Sequence, residues 1–249
     1  TGMPVGIIIK NRKTKYYPDK YVPLHGEFFA GIKYNSKNYS FYRERLSQRE
    51  TAVRVALFSF TRRFLEELGI EIESKVISCY GIRDQERFYD LIKDFEKKGE
   101  SFGGIFELRI KNVVAGIGGF SQGAERLQSR ISQMIFSIGS IKGVEFGCGF
   151  ESEKYTSSEF LKNPSLLGGI EGGITRGDDI VIRCVTRPLA GSKKIDPESS
   201  SDITSVFAAG YISEFLVSFV IADEIMKKFG SDIFDDIKKA YFEFKKRTE

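Results

Sequence analysis

The sequence contains no tryptophan, one histidine, three cysteines and six prolines in 249 residues. With a single histidine, the common metal sites built from several imidazoles are not expected. Cys79, Cys148 and Cys184 are far apart and form no CxxC pair, so the sequence indicates neither a disulfide framework nor a structural zinc site. This cysteine usage is typical of a reducing compartment, and we expect a cytoplasmic protein.

Long hydrophobic runs and a large charge surplus are also lacking. The 38 basic residues exceed the 34 acidic ones only slightly, for a net charge of +4, too small a surplus to indicate nucleic acid or a membrane as a partner. The longest apolar stretch, around residues 215–221, soon meets Asp223 and Glu224, well short of the roughly 20 residues that a bilayer requires. Hydrophobic residues make up 41% of the chain, enough for a sizeable core.

Apolar periodicity predicts a mixed chain of strands and helices without a regular βαβ rhythm. Residues 5–10 and 70–80 are typical of strands, and residues 11–42, which have no sustained period, of a long loop. Ser47 and Glu50 form a capping-box pattern at the start of a helix predicted over residues 48–68. The remaining predictions are strands over 105–110, 113–116, 144–146 and 179–186, and helices over 84–98, 124–138, 205–229 and from 232 onward.

Arginines cluster around the N-terminus of the helix predicted over residues 48–68. They are Arg43, Arg45, Arg49 and Arg54. Unpaired backbone N–H groups and the helix dipole already make that end positive, so cations there destabilise the helix unless an anion is bound. The pattern therefore favours a phosphate or carboxylate site. The alternative is a solvated basic face, partly neutralised by neighbouring glutamates.

Three further features have both a structural and a functional interpretation. His25 titrates near neutrality and is a candidate proton carrier, although a lone loop histidine is often incidental. Asp202, just ahead of the helix predicted over 205–229, is either a helix cap or a site residue. The glycines in residues 168–177 suit either tight turns or a closely approaching ligand, and they match neither the dinucleotide fingerprint nor the P-loop.

Ordered sequence motifs resemble those of one enzyme family, the chorismate synthases. The most specific is RLSQRETAVRV at residues 45–55, which is similar to the family's RSSARETAxRV signature. LHGE at residues 24–27 and GIKY at 31–34 look like its PGHAD and GIKY segments. Further similar segments follow in the family's order at residues 1–5, 99–104, 137–147, 168–174, 181–183 and 201–210. The resemblance thus covers nearly the whole chain.

The resemblance implies a fold, a reaction and partners. The implied fold is α+β, a β-α-β sandwich with helices packed between antiparallel sheets. Residues 1–249 are expected to form a single domain, and the protein is expected to be a homotetramer. The reaction is that of a carbon–oxygen lyase, the anti-1,4 elimination of phosphate from 5-enolpyruvylshikimate-3-phosphate to give chorismate in aromatic amino acid biosynthesis. Reduced FMN is the implied cofactor, and an external flavin reductase is a candidate partner. Neither a metal, nucleic acid nor a membrane is implied.

Site residues also follow from the resemblance. It implies two catalytic residues, His25 beside the reduced flavin and Asp202 assisting proton removal from the substrate. The residues expected to hold the anionic groups of the substrate are Arg45, Arg49 and Arg54. Those expected to contact the flavin or its surroundings are Ser47, Gln48, Arg187 and Ser201.

Several positions depart from the family's pattern. Glu27 stands in place of an Asp, Leu46 in place of a Ser and Gln48 in place of an Ala. The family's N-terminal segment, with a second catalytic histidine and several arginines, has no counterpart in these residues, and we expect that part of the fold to be missing. The alternative functions are a catalytically impaired pseudoenzyme or assembly subunit, and a flavin-binding reductase of another kind.

Overall fold

The computed structural model describes residues 3–10, 25–46, 50–189, 192–194 and 202–248, with the backbone alone for 43–45. The helices are Gly26–Tyr34 (α1), Tyr39–Leu46 (α2), Thr51–Glu66 (α3), Phe88–Lys98 (α4), Leu127–Phe136 (α5), Ser157–Lys162 (α6), Val206–Phe229 (α7) and Phe234–Thr248 (α8). The strands are Glu71–Cys79 (β1), Gly104–Lys111 (β2), Ile141–Phe146 (β3), Ile170–Glu171 (β4), Ile174–Thr175 (β5) and Ile180–Thr186 (β6).

Four strands form an antiparallel sheet in the order β1-β2-β6-β3, and β4 and β5 form a small hairpin. Every second residue of β2 and of most of β6 is buried, including Phe106, Leu108, Ile182 and Cys184. The alternate residues carry charged side chains such as Glu107 and Arg109. Since successive strand residues point to opposite faces, the sheet has one apolar face and one polar face. The α+β class with antiparallel sheets is confirmed.

Helix α7 lies on the apolar face of the sheet and is buried nearly all round, as its sequence predicts. It packs against β1 and β2 on one side and against α3 and α5 on the other. A Cβ built on Gly210 would lie 3.1 Å from the Ser74 hydroxyl oxygen, so the absence of a side chain at Gly210 lets α7 approach the sheet closely. By length and composition α7 could cross a membrane, but 72% of its apolar window is buried inside the fold, so it is a core helix.

Buried charges connect α7 to its neighbours. Glu214 is 7% exposed; its carboxylate contacts the Arg62 guanidinium of α3 and accepts a hydrogen bond from the Ser74 N–H of β1 (2.9 Å). Arg130 of α5 pairs with Glu224 and, at 2.6 Å, with Asp223 of α7. Because an unpaired buried charge is strongly unfavourable, these pairs hold α3, α5 and β1 in register with α7.

Three predicted elements are wrong. Residues 3–10 are irregular and mostly exposed, so the strand predicted over 5–10 is not formed. The long loop predicted over 11–42 contains α1 and the first half of α2, two short helices whose apolar residues face no single side. Residues 11–24 lie outside the description. Residues 113–116 form no strand, because Val113 and Val114 are buried in the core beneath Tyr241, whose hydroxyl accepts from the Val114 N–H.

Candidate active site

Several loops meet at one end of the four-stranded sheet. Gly104, the first residue of β2, pairs with Cys79, the last of β1, and with Thr186, the last of β6. Ile141, the first residue of β3, also pairs with Thr186. We call this edge the Gly104 end. Since neighbouring strands are about 4.8 Å apart, β3, β6 and β2 span about 10 Å of it.

The loop after β6 is fastened across the Gly104 end by two hydrogen bonds. The Arg187 N–H donates to the Ser140 carbonyl in the α5–β3 connection (2.8 Å). The Ser101 hydroxyl, just before β2, donates to the Leu189 carbonyl (3.0 Å). The Arg187 guanidinium donates to the carbonyl of Pro188 (3.0 Å) and carries no carboxylate among the described residues. One of the predicted flavin-contacting residues therefore lies at this end with an uncompensated positive charge.

Asp202 lies at the same end. The Phe102 N–H donates to the Ile203 carbonyl (2.9 Å), which fixes the segment just after Asp202 beside the start of β2. The helix-cap interpretation of Asp202 is wrong, because Ser205 is the N-cap of α7 and the first turn of α7 holds no acidic residue. Asp202 is an exposed carboxylate three residues ahead of that cap. It is thus placed for chemistry outside the helix.

Arg54 lies in the first turns of α3 and faces the end of α5. Its guanidinium donates to the Ser137 hydroxyl (2.7 Å) and to the Glu50 carboxylate (2.6 Å). Helix α3 is described from Thr51, and Glu50 pairs with Arg54. Ser47, the other member of the predicted capping box, lies outside the described residues, so the box stays a prediction. A groove of about 340 Å³ opens beside this contact; it is lined by Arg54, Phe58, Arg130, Gln133, Met134, Ser137, Phe219 and Val220.

Arg54 and Asp202 do not touch, although both belong to this part of the molecule. Arg54 lies beside Phe219 in the middle of α7, whereas Asp202 precedes Val206, the first residue of that helix. At 1.5 Å of rise per residue, Phe219 and Val206 are about 20 Å apart along the axis of α7. Arg54 and Arg187 are closer in the fold, because both contact the short connection between α5 and β3, at Ser137 and Ser140. The structure therefore does not bring Arg54 and Asp202 into one compact pocket.

His25 lies where the start of α1 packs against the end of α2. It is the residue immediately before α1, and its Nδ1 contacts the carboxylate of Glu27, a side chain with no exposed surface. A Cβ built on Gly26 would lie 3.2 Å from Leu46 Cδ1, so the end of α2 packs beside His25. Leu46 itself is 49% exposed. The fold thus brings the start of α1 against Leu46, the last residue of α2.

Other predicted site residues lie outside the description. They are Ser47, Gln48, Arg49 and Ser201, together with the side chain of Arg45, whose backbone belongs to α2. Their roles stay predictions.

Two buried serine hydroxyls near the Gly104 end have no predicted role. Ser140 is 1% exposed and Ser205 7% exposed, and neither hydroxyl has a hydrogen-bond partner among the described residues. The Arg187 guanidinium at the same end can pair with an anionic group, such as the phosphate of a flavin mononucleotide. No cluster suited to a metal ion occurs among the described residues.

The glycines of residues 168–177 allow tight turns and close backbone contacts. Gly172 and Gly173, at φ 61° and 97°, form the turn between β4 and β5. A Cβ on Gly168 would lie 2.3 Å from the Gly147 nitrogen, and one on Gly169 would lie 2.4 Å from the Asp179 carbonyl oxygen. Only glycine allows such close backbone approach. The tight-turn interpretation is confirmed.

A model of the chorismate synthase family matches residues 1–226 of the chain. The chain belongs to this family. It is 36% identical to the chorismate synthase of Caldanaerobacter subterraneus over 273 aligned residues, covering 97% of this chain and 78% of that relative. It is 30% identical to the chorismate synthase of Aquifex aeolicus, covering 98% of this chain and 80% of that relative.

A solved crystal structure of a chorismate synthase superposes with a TM-score of 0.76 at 30% sequence identity, covering 88% of this chain and 75% of that one. The predicted family and fold class are thereby confirmed. The chorismate synthase motifs that contain Arg54 and Ser137 are separate in the sequence, and the fold brings these two residues into contact.

Proposed function

We propose that this chain is a chorismate synthase, a lyase of aromatic amino acid biosynthesis. It eliminates phosphate from 5-enolpyruvylshikimate-3-phosphate in the anti-1,4 sense to give chorismate: a proton leaves one ring carbon and the phosphate leaves another. One observation carries the proposal. Arg54, from the motif at residues 45–55, contacts Ser137, from the motif at residues 137–147, and the Arg187 N–H donates to Ser140 in the same connection between α5 and β3. Segments that carry two separate family motifs thus meet in the fold, which supports a common site for the substrate.

The arginines hold the negative groups of the substrate and cofactor. Arg54 is anchored by Ser137 and Glu50, so its planar fork has a fixed direction. A guanidinium stays charged at all working pH values and binds phosphate or carboxylate through two parallel hydrogen bonds. Charge developing on the departing phosphate is stabilised by such preorganised donors. Arg45 and Arg49 extend this anion site from the segment ahead of α3.

Two side chains handle protons. Asp202, exposed beside the start of β2, assists removal of the substrate proton as a carboxylate acceptor. His25, with Glu27 at its Nδ1, holds or delivers a proton beside the flavin. Asp202 lies ahead of α7, and His25 lies immediately before α1.

Reduced FMN, when bound, supplies electron density transiently to the substrate and takes it back, with no net oxidation. Arg187 would hold it at the Gly104 end, with Ser47, Gln48 and Ser201 as further contacts.

The wider assignment follows the family. Residues 1–249 form one domain, and the enzyme works in the cytoplasm as a homotetramer. Its small-molecule substrate is 5-enolpyruvylshikimate-3-phosphate, and an external flavin reductase maintains FMN in the reduced state.

The test is an anaerobic assay of the purified protein with reduced FMN and 5-enolpyruvylshikimate-3-phosphate, following chorismate absorbance and phosphate release together. The proposal requires both products in equal amounts, with Asp202→Asn strongly impaired. Glu73→Gln is the matched control. Glu73 pairs with Lys111 (2.6 Å) on the polar face of the sheet, near the end of β1 and β2 opposite Gly104. Flavin binding without product would favour another flavin enzyme, and neither binding nor product would favour a pseudoenzyme or assembly subunit.

A further inference from the structure

We infer that Glu27 is a positioning residue that sets the tautomer and orientation of the His25 ring. The inference deepens the proposed function and rests on it for the role of His25. Its structural basis is the contact between the His25 Nδ1 and the Glu27 carboxylate, two residues apart at the start of α1.

Burial makes this carboxylate unusual. Glu27 has no exposed surface, although it belongs to a helix whose other residues are mostly exposed. A carboxylate removed from water requires hydrogen-bond donors, because its desolvation is otherwise very costly. The His25 ring is one such donor. The position of Glu27 in the first turn of α1 adds a favourable interaction with the helix dipole.

The chemistry of the pair fixes the proton positions. An ionised carboxylate only accepts hydrogen bonds, so Nδ1 must carry the hydrogen that joins the two groups. In the neutral ring Nε2 is then the basic nitrogen, and it is the atom that can take up or release a proton towards a ligand. The carboxylate also stabilises the ring when it becomes charged, and the contact limits its rotation. Glu27 acts through His25 in this scheme and touches neither substrate nor cofactor.

The chain offers a clean spectroscopic test, since His25 is its one histidine. Protein labelled with ¹⁵N in the imidazole ring gives a single pair of ring nitrogen signals, which report the tautomer directly without flavin or substrate. In the intact protein, at a pH where titration shows the ring to be neutral, we expect Nδ1 to carry the hydrogen and Nε2 to be unprotonated. In Glu27→Gln the ring shifts towards the Nε2–H form that predominates for histidine in water.

Activity provides the second readout. Glu27→Gln keeps the volume of the side chain and removes its charge, so we expect kcat to fall about 10- to 100-fold with little change in KM. Glu27→Asp restores a carboxylate and should recover most of this loss, which a purely packing role would not predict. Glu73→Gln, on the polar face of the sheet, should leave both the ring signals and kcat unchanged.

The two proposals fail separately. An Nε2–H tautomer in the unaltered protein, or ring signals that are the same in Glu27→Gln, would overturn the inference whatever the activity. Absence of chorismate formation together with the Nδ1–H tautomer would overturn the proposed function and leave the role of Glu27 on His25 intact.

Discussion

Helix α7 and the α1–α2 pair differ in what holds them in place. Fifteen of the 24 residues of α7 are buried, whereas α1 buries only Glu27 and Gly31 of its nine. Contacts between the two helices include the stacked rings of Tyr34 and Tyr42, whose centroids are 5.7 Å apart. The body of the fold is specified by a shared core, and the α1–α2 pair buries a much smaller share of its residues.

A large loss of stability should come from breaking the buried charge network of α7. Glu214→Ala removes the acceptor of the Ser74 N–H and the buried partner of the Arg62 guanidinium, so we expect the free energy of unfolding to fall by about 2 to 3 kcal/mol. Arg62 keeps the Ile72 carbonyl and Glu66 as partners. Urea denaturation measures it. Glu66→Ala is the matched control: Glu66 also pairs with Arg62, but its side chain is 45% exposed. We expect a loss below about 1 kcal/mol there, and equal losses for the two variants would contradict the comparison.

A site variant should separate activity from stability. Arg54→Ala removes one preorganised cation, so kcat/KM should fall about 100- to 1000-fold, equivalent to about 3 to 4 kcal/mol of transition-state stabilisation. Its ion pair with Glu50 is partly exposed, so we expect the free energy of unfolding to change by less than about 1 kcal/mol. Arg54→Lys keeps the charge without the planar fork and should recover only part of the activity. Full activity in Arg54→Ala would remove Arg54 from the anion site.

Tyr241 of α8 allows a test of a buried hydrogen bond in the core. Its hydroxyl accepts from the Val114 N–H (3.3 Å) and donates to the Asn112 carbonyl (3.1 Å). Tyr241→Phe leaves a buried N–H unpaired, so unfolding should become easier by about 1 to 2 kcal/mol.

Tyr241 also makes a prediction for alkaline pH. Burial raises the pKa of Tyr241 from 10.0 to about 12. Because the folded state favours the neutral phenol, its stabilisation is present below pH 10 and is lost as the pH rises towards 12. Unfolding of the two proteins at pH 8 and pH 11 measures this. Tyr241→Phe should lack that component of the alkaline loss, and an identical pH dependence would contradict the assignment.

The smallest effect is expected in the α1–α2 pair. Phe29 is 54% exposed on α1, so Phe29→Ala should change the free energy of unfolding by less than about 0.5 kcal/mol. Phe106→Ala, at a fully buried position of β2, is the contrasting variant and should cost about 3 to 5 kcal/mol. A large loss for Phe29→Ala would mean that the pair is part of the cooperative core.

The sequence predicted correctly those helices and strands whose apolar pattern within a short stretch directly reflects their burial. The alternation in β2 and the all-round apolar character of α7 reflect burial directly, and both elements appear close to their predicted bounds. Helices α1 and α2 were missed because they are short and their apolar residues follow no consistent face. The strand at 113–116 was predicted from β-branched residues that are buried for another reason, contact with Tyr241.

The sequence by itself determined the family, the strong core elements and the residue types of the site, because motifs and periodicity are properties of neighbouring residues. Only the tertiary structure decided that Ser137 contacts Arg54, that the Ser140 carbonyl accepts from the Arg187 N–H, and that Glu27 contacts His25. The strand order β1-β2-β6-β3 pairs residues up to 82 positions apart, Gly104 with Thr186. Which loops meet at the Gly104 end depends on that pairing, and non-local pairing is set by the whole core and by no local pattern.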